Sequence, residues 1–242
     1  DTLLAAKATN TALALKAPIA SPSFTGNVGV GAGTALSPLD VKSGFITVSK
    51  DAATAGRIGA SEYITGSTAN DLIVQATGSG VTKLYQSGVN SLNIDAAGIV
   101  TKPLQPAFLA QGANGQNNIA VGGAYVISLT TEQFDNNNDF SSNTFTAPVT
   151  GKYQLNSHVY LTGVPTNANY IETYLTTSNR NYVAAITPSS YGGGGISYIS
   201  MEITVLADMD AGDTAYLRIS QGSGTQSTDV ASYTAFSGYL VA

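Results

Sequence analysis

The run Phe145-Thr-Ala-Pro-Val-Thr-Gly151-Lys-Tyr153 decides how this chain reads. After Gly151 the residues alternate: Tyr153, Leu155, Ser157, Val159 and Leu161 fall on one face, Gln154, Asn156, His158 and Tyr160 on the other. The pattern recurs twice further on. Ile199, Met201, Ile203 and Val205 stand opposite Tyr198, Ser200, Glu202 and Thr204, and Ala215, Leu217 and Ile219 stand opposite Tyr216, Arg218 and Ser220. A period of two with one apolar face is what each sheet of a β-sandwich requires.

The composition agrees with an all-β chain. Of 242 residues, 10% are charged, with 26 Gly, 13 Tyr and no Cys, and Val, Ile, Thr and Tyr favour strands separated by tight turns. A net charge of -5 with 10 scattered Lys and Arg excludes the basic stripe that a nucleic-acid partner needs. Without cysteine there is no disulfide framework and no thiolate metal site. No apolar run is long enough for a bilayer-spanning helix and no signal peptide is visible, so membrane insertion is not expected. A start at Asp1 in place of Met marks the chain, on this reading, as a fragment or a processed product.

Working outward, Phe145 through Tyr153 is answered at the C-terminus by Phe236-Ser-Gly238-Tyr-Leu240, with Ala107-Phe-Leu-Ala110, Phe134-Asp135 and Ala211-Gly-Asp213 between and before. Together these words resemble the C1q-like jelly roll over residues 104–242. The resemblance implies a homotrimer that binds a partner without transforming it. It also implies that the first and last strands lie near the three-fold axis, bringing Phe108 and Tyr239 toward trimer contacts. The family usually has aromatics where this chain has Leu155 and Ser157, and the loop between Phe134 and Phe145 is shortened.

Ahead of the head, residues 1–17 read as a short coiled-coil helix. Leu4, Ala8, Thr11 and Leu15 alternate spacings of four and three, and a helix this short needs partner chains, with Leu4 and Leu15 as trimer contacts. Pro18 ends it, and a frayed tail is the alternative. Lys16-Ala-Pro-Ile-Ala-Ser-Pro-Ser-Phe-Thr-Gly26 and Gly26-Asn-Val-Gly-Val-Gly31 with Ser37-Pro-Leu-Asp-Val41 are similar to two consecutive elements of phage tail fibres. Residues 18–103 then read as a β-rich fibre shaft. The runs Phe45–Val48, Leu72–Val74, Leu84-Tyr85, Leu92–Ile94 and Ile99-Val100 are separated by turns. Such short runs bury too little for a monomeric core, and three chains about one axis would supply the rest. Lys102-Pro-Leu-Gln-Pro106 is a stiff connector into the head.

Strand alternation places the loops 162–169, 188–195 and 221–231 together at the end of the head away from the shaft. They are rich in Ser, Thr, Asn, Gly and Tyr, the chemistry of adaptable binding loops, and polar surface loops of no special role would look the same. Thr166, Asn167, Asn169, Tyr191, Gly193, Ser223, Thr225 and Gln226 are the receptor-binding candidates.

Catalytic patterns are missing. The lone His158 and its neighbour Ser157 point to opposite faces of a strand and cannot pair as base and nucleophile. Asp208, Asp210 and Asp213 cluster near a turn. They offer the oxygens that calcium takes, making calcium the one cofactor considered, and turn-forming aspartate is the plainer account. The sequence is therefore expected to be a non-enzymatic homotrimeric phage tail-fibre protein, located in the virion tail, facing outward and joined to other tail proteins. Its head tip would bind a host cell-surface glycan or protein. The alternatives are a structural virion fibre (collar, whisker or head fibre) with the head as trimerisation clamp, a bacterial surface adhesin, and a depolymerase.

Overall fold

The computed structural model describes residues 45–51, 54–60, 72–76, 80–112 and 115–242. The expected coiled-coil stub with Leu4 and Leu15, and both tail-fibre-like elements between 16 and 41, lie outside those residues. The chain divides into two units, 1–82 and 83–242.

In the first unit, β1 (Phe45–Asp51), β2 (Thr54–Ala60) and β3 (Leu72–Ala76) form an antiparallel sheet in sequence order. Phe45 sits opposite Gly59 and Ala60 opposite Leu72, so the apolar runs at 45–48 and 72–74 are strands.

The second unit opens with a small sheet of β4 (Thr82–Gln86), β5 (Val89–Ile94) and β6 (Val100–Thr101). Ser87 and Gly88 both have positive φ, the conformation of a two-residue hairpin turn. Asp95 Oδ1 accepts the backbone N–H groups of Ala97 and Ile99 at 2.9 and 2.8 Å and closes the next turn. None of the described side chains from 80 to 105 is buried.

The rest of this unit is a sandwich of two antiparallel sheets. One runs β15 (Ile196–Met209), β12 (Gly151–Val164), β18 (Ala235–Leu240), β7 (Ala107–Gln111), β9 (Thr131–Asp135), with β17 (Asp229–Val230) also paired to β12. The other runs β10 (Phe140–Ser141), β11 (Thr144–Thr146), β16 (Thr214–Gly222), β13 (Tyr170–Thr177), β14 (Asn181–Ile186), with β8 (Ala124–Val126) beside β16. The alternation read from sequence holds. Tyr153, Leu155, Val159 and Leu161 are fully buried, Ser157 is 4% exposed, and Ala215, Leu217 and Ile219 line the facing sheet.

The deciding words of the sequence meet around one ring. Phe108 stacks on Phe145 at 4.7 Å and on Phe140 at 5.2 Å, and takes the edge of Phe236 at 5.0 Å. Phe145 in turn lies 5.4 Å from Tyr153, whose hydroxyl donates to the Val149 carbonyl at 2.7 Å and ties down the bend between them. Gly238 makes room, since a Cβ there would stand 2.6 Å from Leu155 Cδ2 and 2.9 Å from Phe108 Cε1. Phe108 is the residue expected near the trimer contact. At 1% exposure its side chain is consumed by the protomer's own core, because pairing with Gly238 turns it inward. Tyr239, one residue on, faces outward and is 49% exposed.

Candidate functional site

Register brings the predicted loops together. Val164 pairs with Ile196, Tyr170 with Gly222 and Leu161 with Val230, so the segments 165–169, 187–195 and 223–228 leave the sandwich at one end. The connector enters at the other end, where Leu240 N–H donates to the Pro106 carbonyl at 3.0 Å.

Four of the predicted residues at this tip are bonded in pairs, Asn167 with Thr225 and Asn169 with Ser223. Asn167 Nδ2 donates to Thr225 Oγ1 at 3.1 Å, and Asn167 Oδ1 accepts the Thr225 backbone N–H at 2.9 Å. Asn169 N–H reaches the Gly222 carbonyl at 2.7 Å and Ser223 Oγ at 3.2 Å. Gln226 Nε2 donates to the Asn118 carbonyl at 2.7 Å, drawing a further loop into the tip. Thr166 is half-buried and Gly193 is exposed within the Gly192–Gly195 run. Tyr191, in the 3-10 turn Pro188–Tyr191, projects at 59% exposure. A cleft of about 270 Å3 opens between Gly163–Pro165, Gly194–Ser197 and Ser227.

Sequence reading missed the residue that shapes this tip. Gln221 is fully buried; its amide donates to the carbonyls of Ser223 and Thr225 at 3.0 and 2.7 Å, and its Oε1 accepts Thr228 Oγ1 at 2.6 Å. A polar residue at an inward strand position was the available signal, because a buried amide must find partners.

At the opposite end the three aspartates have separate duties. Asp208 takes both oxygens to Arg180 Nη2 at 2.8 and 3.0 Å. Asp213 Oδ2 accepts the Asp210 N–H at 2.9 Å and Asn179 Nδ2 at 3.2 Å, while Asp210 Oδ1 accepts Thr150 Oγ1 at 3.4 Å. They form a turn scaffold, and among the described residues no three His, Cys, Asp or Glu side chains converge on a metal position.

The outward face of the β12–β15–β18 sheet is aromatic. Tyr160 lies 6.1 Å from Tyr198, 5.8 Å from Tyr233 and 6.3 Å from His158 by ring centroids, and His158 Nδ1 is 3.2 Å from Glu202 Oε1. Tyr198, Tyr233, Leu206, Tyr239 and Phe134 are all about half exposed or more on or beside this sheet. Ser157 is on the inner face and hydrogen-bonds the Ile203 backbone, so it stands apart from His158 as strand geometry requires.

The C1q domain pattern matches residues 107–241, and the chain belongs to the C1q-domain family. Among solved structures, the globular domain of zebrafish complement 1qA matches with a TM-score of 0.42 at 15% identity, over 57% of this chain and 98% of that one. Murine APRIL matches with a TM-score of 0.41 at 11% identity, over 57% of this chain and 99% of that one. No curated protein matches in sequence.

Proposed function

We propose that this member of the C1q-domain family is a homotrimeric viral fibre protein whose head attaches a phage tail to its host through the loops at the head's tip. The observation that carries the reading is the convergence of 165–169, 187–195 and 223–228, braced by Asn167, Gln221 and Gln226 and crowned by the exposed Tyr191. Rigid loops with an aromatic at the crest bind with little ordering cost. The outward tyrosine face supports packing of three heads. The segment 80–105 supports a shared axis: Leu84, Tyr85, Val89, Ile99 and Val100 are each at least half exposed, and three short strands with no buried side chain among the described residues do not hold alone. Three weak sites on one particle then act with avidity. The fibre's other partners would be neighbouring tail proteins.

Native mass spectrometry of the whole chain, followed by competition of the purified protein against particle adsorption, tests this. A trimer that blocks adsorption, with Tyr191→Ala abolishing the block while the trimer persists, is the expected result; a stable monomer overturns it. A second reading has its own observation. Asn167, Thr225 and Ser223 turn side-chain polar atoms into the tip, as in a purely structural fibre whose head clamps three chains. Retained blocking by tip-loop variants would favour that reading.

A further inference from the structure

The sheet on the other side of the sandwich carries a cation that, among the described residues, belongs to no ion pair. On its outward face β13 and β16 set Tyr174 opposite Arg218 and Thr176 opposite Tyr216, and β14 sets Asn181 opposite Thr176. Arg218 is half-buried, and its guanidinium is fixed from three directions. Its Nε donates to Thr176 Oγ1 and its Nη2 to Asn181 Oδ1, both at 3.0 Å, and its Cζ stands 4.9 Å over the Tyr174 ring and 6.0 Å from that of Tyr216. Among the described residues the ion pairs are Arg180–Asp208 and His158–Glu202, and Arg218 belongs to neither. The carboxylate two residues along the facing strand, Glu172, is held by the Tyr174 hydroxyl.

We propose that Arg218, with Tyr174, Tyr216, Glu172 and Asn181, forms a binding site for a carboxylate-bearing sugar of an acidic glycan. A guanidinium has five N–H donors; here two have protein acceptors among the described residues, and its remaining edge matches a carboxylate. Fixing the fork in advance removes the rotamer cost that a mobile Lys or Arg carries into a complex. A half-buried cation flanked by rings and neutral oxygens favours an incoming anion over continued hydration. The other features select a sugar. The two tyrosines present ring surface for the C–H face of a pyranose. Glu172 Oε1 and the Asn181 amide supply an acceptor and donors for hydroxyls. Glu172 adds a negative charge beside Arg218, which one carboxylate tolerates better than a doubly charged phosphate does. The site lies on the sheet facing away from the tyrosine face, and it rests on neither the tip-loop nor the trimer reading.

The test is titration of the whole chain, followed by isothermal calorimetry, with a short hyaluronan oligosaccharide and with sialyllactose. Each is compared with a neutral counterpart, a chitin oligosaccharide and lactose. Binding of at least one acidic probe, weakened about tenfold or more in its neutral counterpart, is expected from loss of charge-assisted hydrogen bonds. R218Q should lose the same factor with its melting temperature within a few degrees of the parent. R218K, which keeps the charge but not the fork, should also weaken binding. Which probe binds separates uronic from sialic acid. Binding of neither, equal binding of acidic and neutral probes, or unchanged binding by R218K and R218Q each overturns the proposal.

Discussion

Asn167 and Thr225, fifty-eight positions apart, hold each other through two hydrogen bonds, amide to hydroxyl at 3.1 Å and backbone N–H to amide oxygen at 2.9 Å. Asn167→Ala removes both. A loss of about 1–3 kcal/mol is expected, since each such bond nets about 1 kcal/mol. Amide hydrogen exchange should accelerate at Thr225 and Ala168 and stay unchanged in β12. Uniform acceleration across the sandwich would show that the pair supports the whole fold.

The aromatic cluster around Phe108 sets the largest stability effects. Phe108→Ala should cost about 3–5 kcal/mol, because it opens a cavity between Phe140, Phe145 and Phe236. Gly238→Val should cost about 1–3 kcal/mol by overpacking against Leu155 and Phe108. Both are read from urea midpoints. A Gly238→Val variant as stable as the parent would mean that the ring of Phe108 is free to move aside.

Alkaline pH should act through Tyr174. Its hydroxyl donates to the Glu172 carboxylate, which, with some burial, pushes its pKa from the usual 10.0 up to about 12. The folded state therefore keeps this proton where the unfolded chain loses it. The associated stability is complete below pH 10 and declines as pH rises toward 12. Glu172→Gln should bring one tyrosine of the folded protein back toward ordinary titration, followed by tyrosinate absorbance; an unchanged curve refutes the assignment.

Charge placed on the tyrosine face should separate assembly from folding. Tyr198 is 68% and Tyr239 49% exposed in one chain, so Glu at either position leaves the core untouched. The double variant Tyr198→Glu/Tyr239→Glu is expected to retain the β circular-dichroism spectrum and to run as a monomer in native mass measurement. A trimer of unaltered stability would place the contact elsewhere.

Strand identity was legible because it depends on near neighbours alone. Tyr153, Leu155, Val159 and Leu161 sit on the inner face as their alternation requires. Side-chain direction at a strand inferred from resemblance was less legible. Ala107–Ala110 is a strand, yet Phe108 faces inward because its register opposes Gly238, a fact held 130 residues away. Gln221 was recognisable only as a polar residue in an apolar row, since its partners exist only once 223–228 curls over it.

By itself the sequence determined that this chain is all-β, that its head is a sandwich of the C1q type, and that three loops share one end. Alternation fixes the all-β sandwich whatever the side chains later touch, and the C1q type and the shared end of the loops follow from the family resemblance. The tertiary structure alone decided what those side chains do. Predicted tip residues brace one another, the aspartates build a turn, and Arg218 meets Thr176, Tyr174 and Asn181 across three strands. Those contacts join residues distant in sequence, and only register selects them.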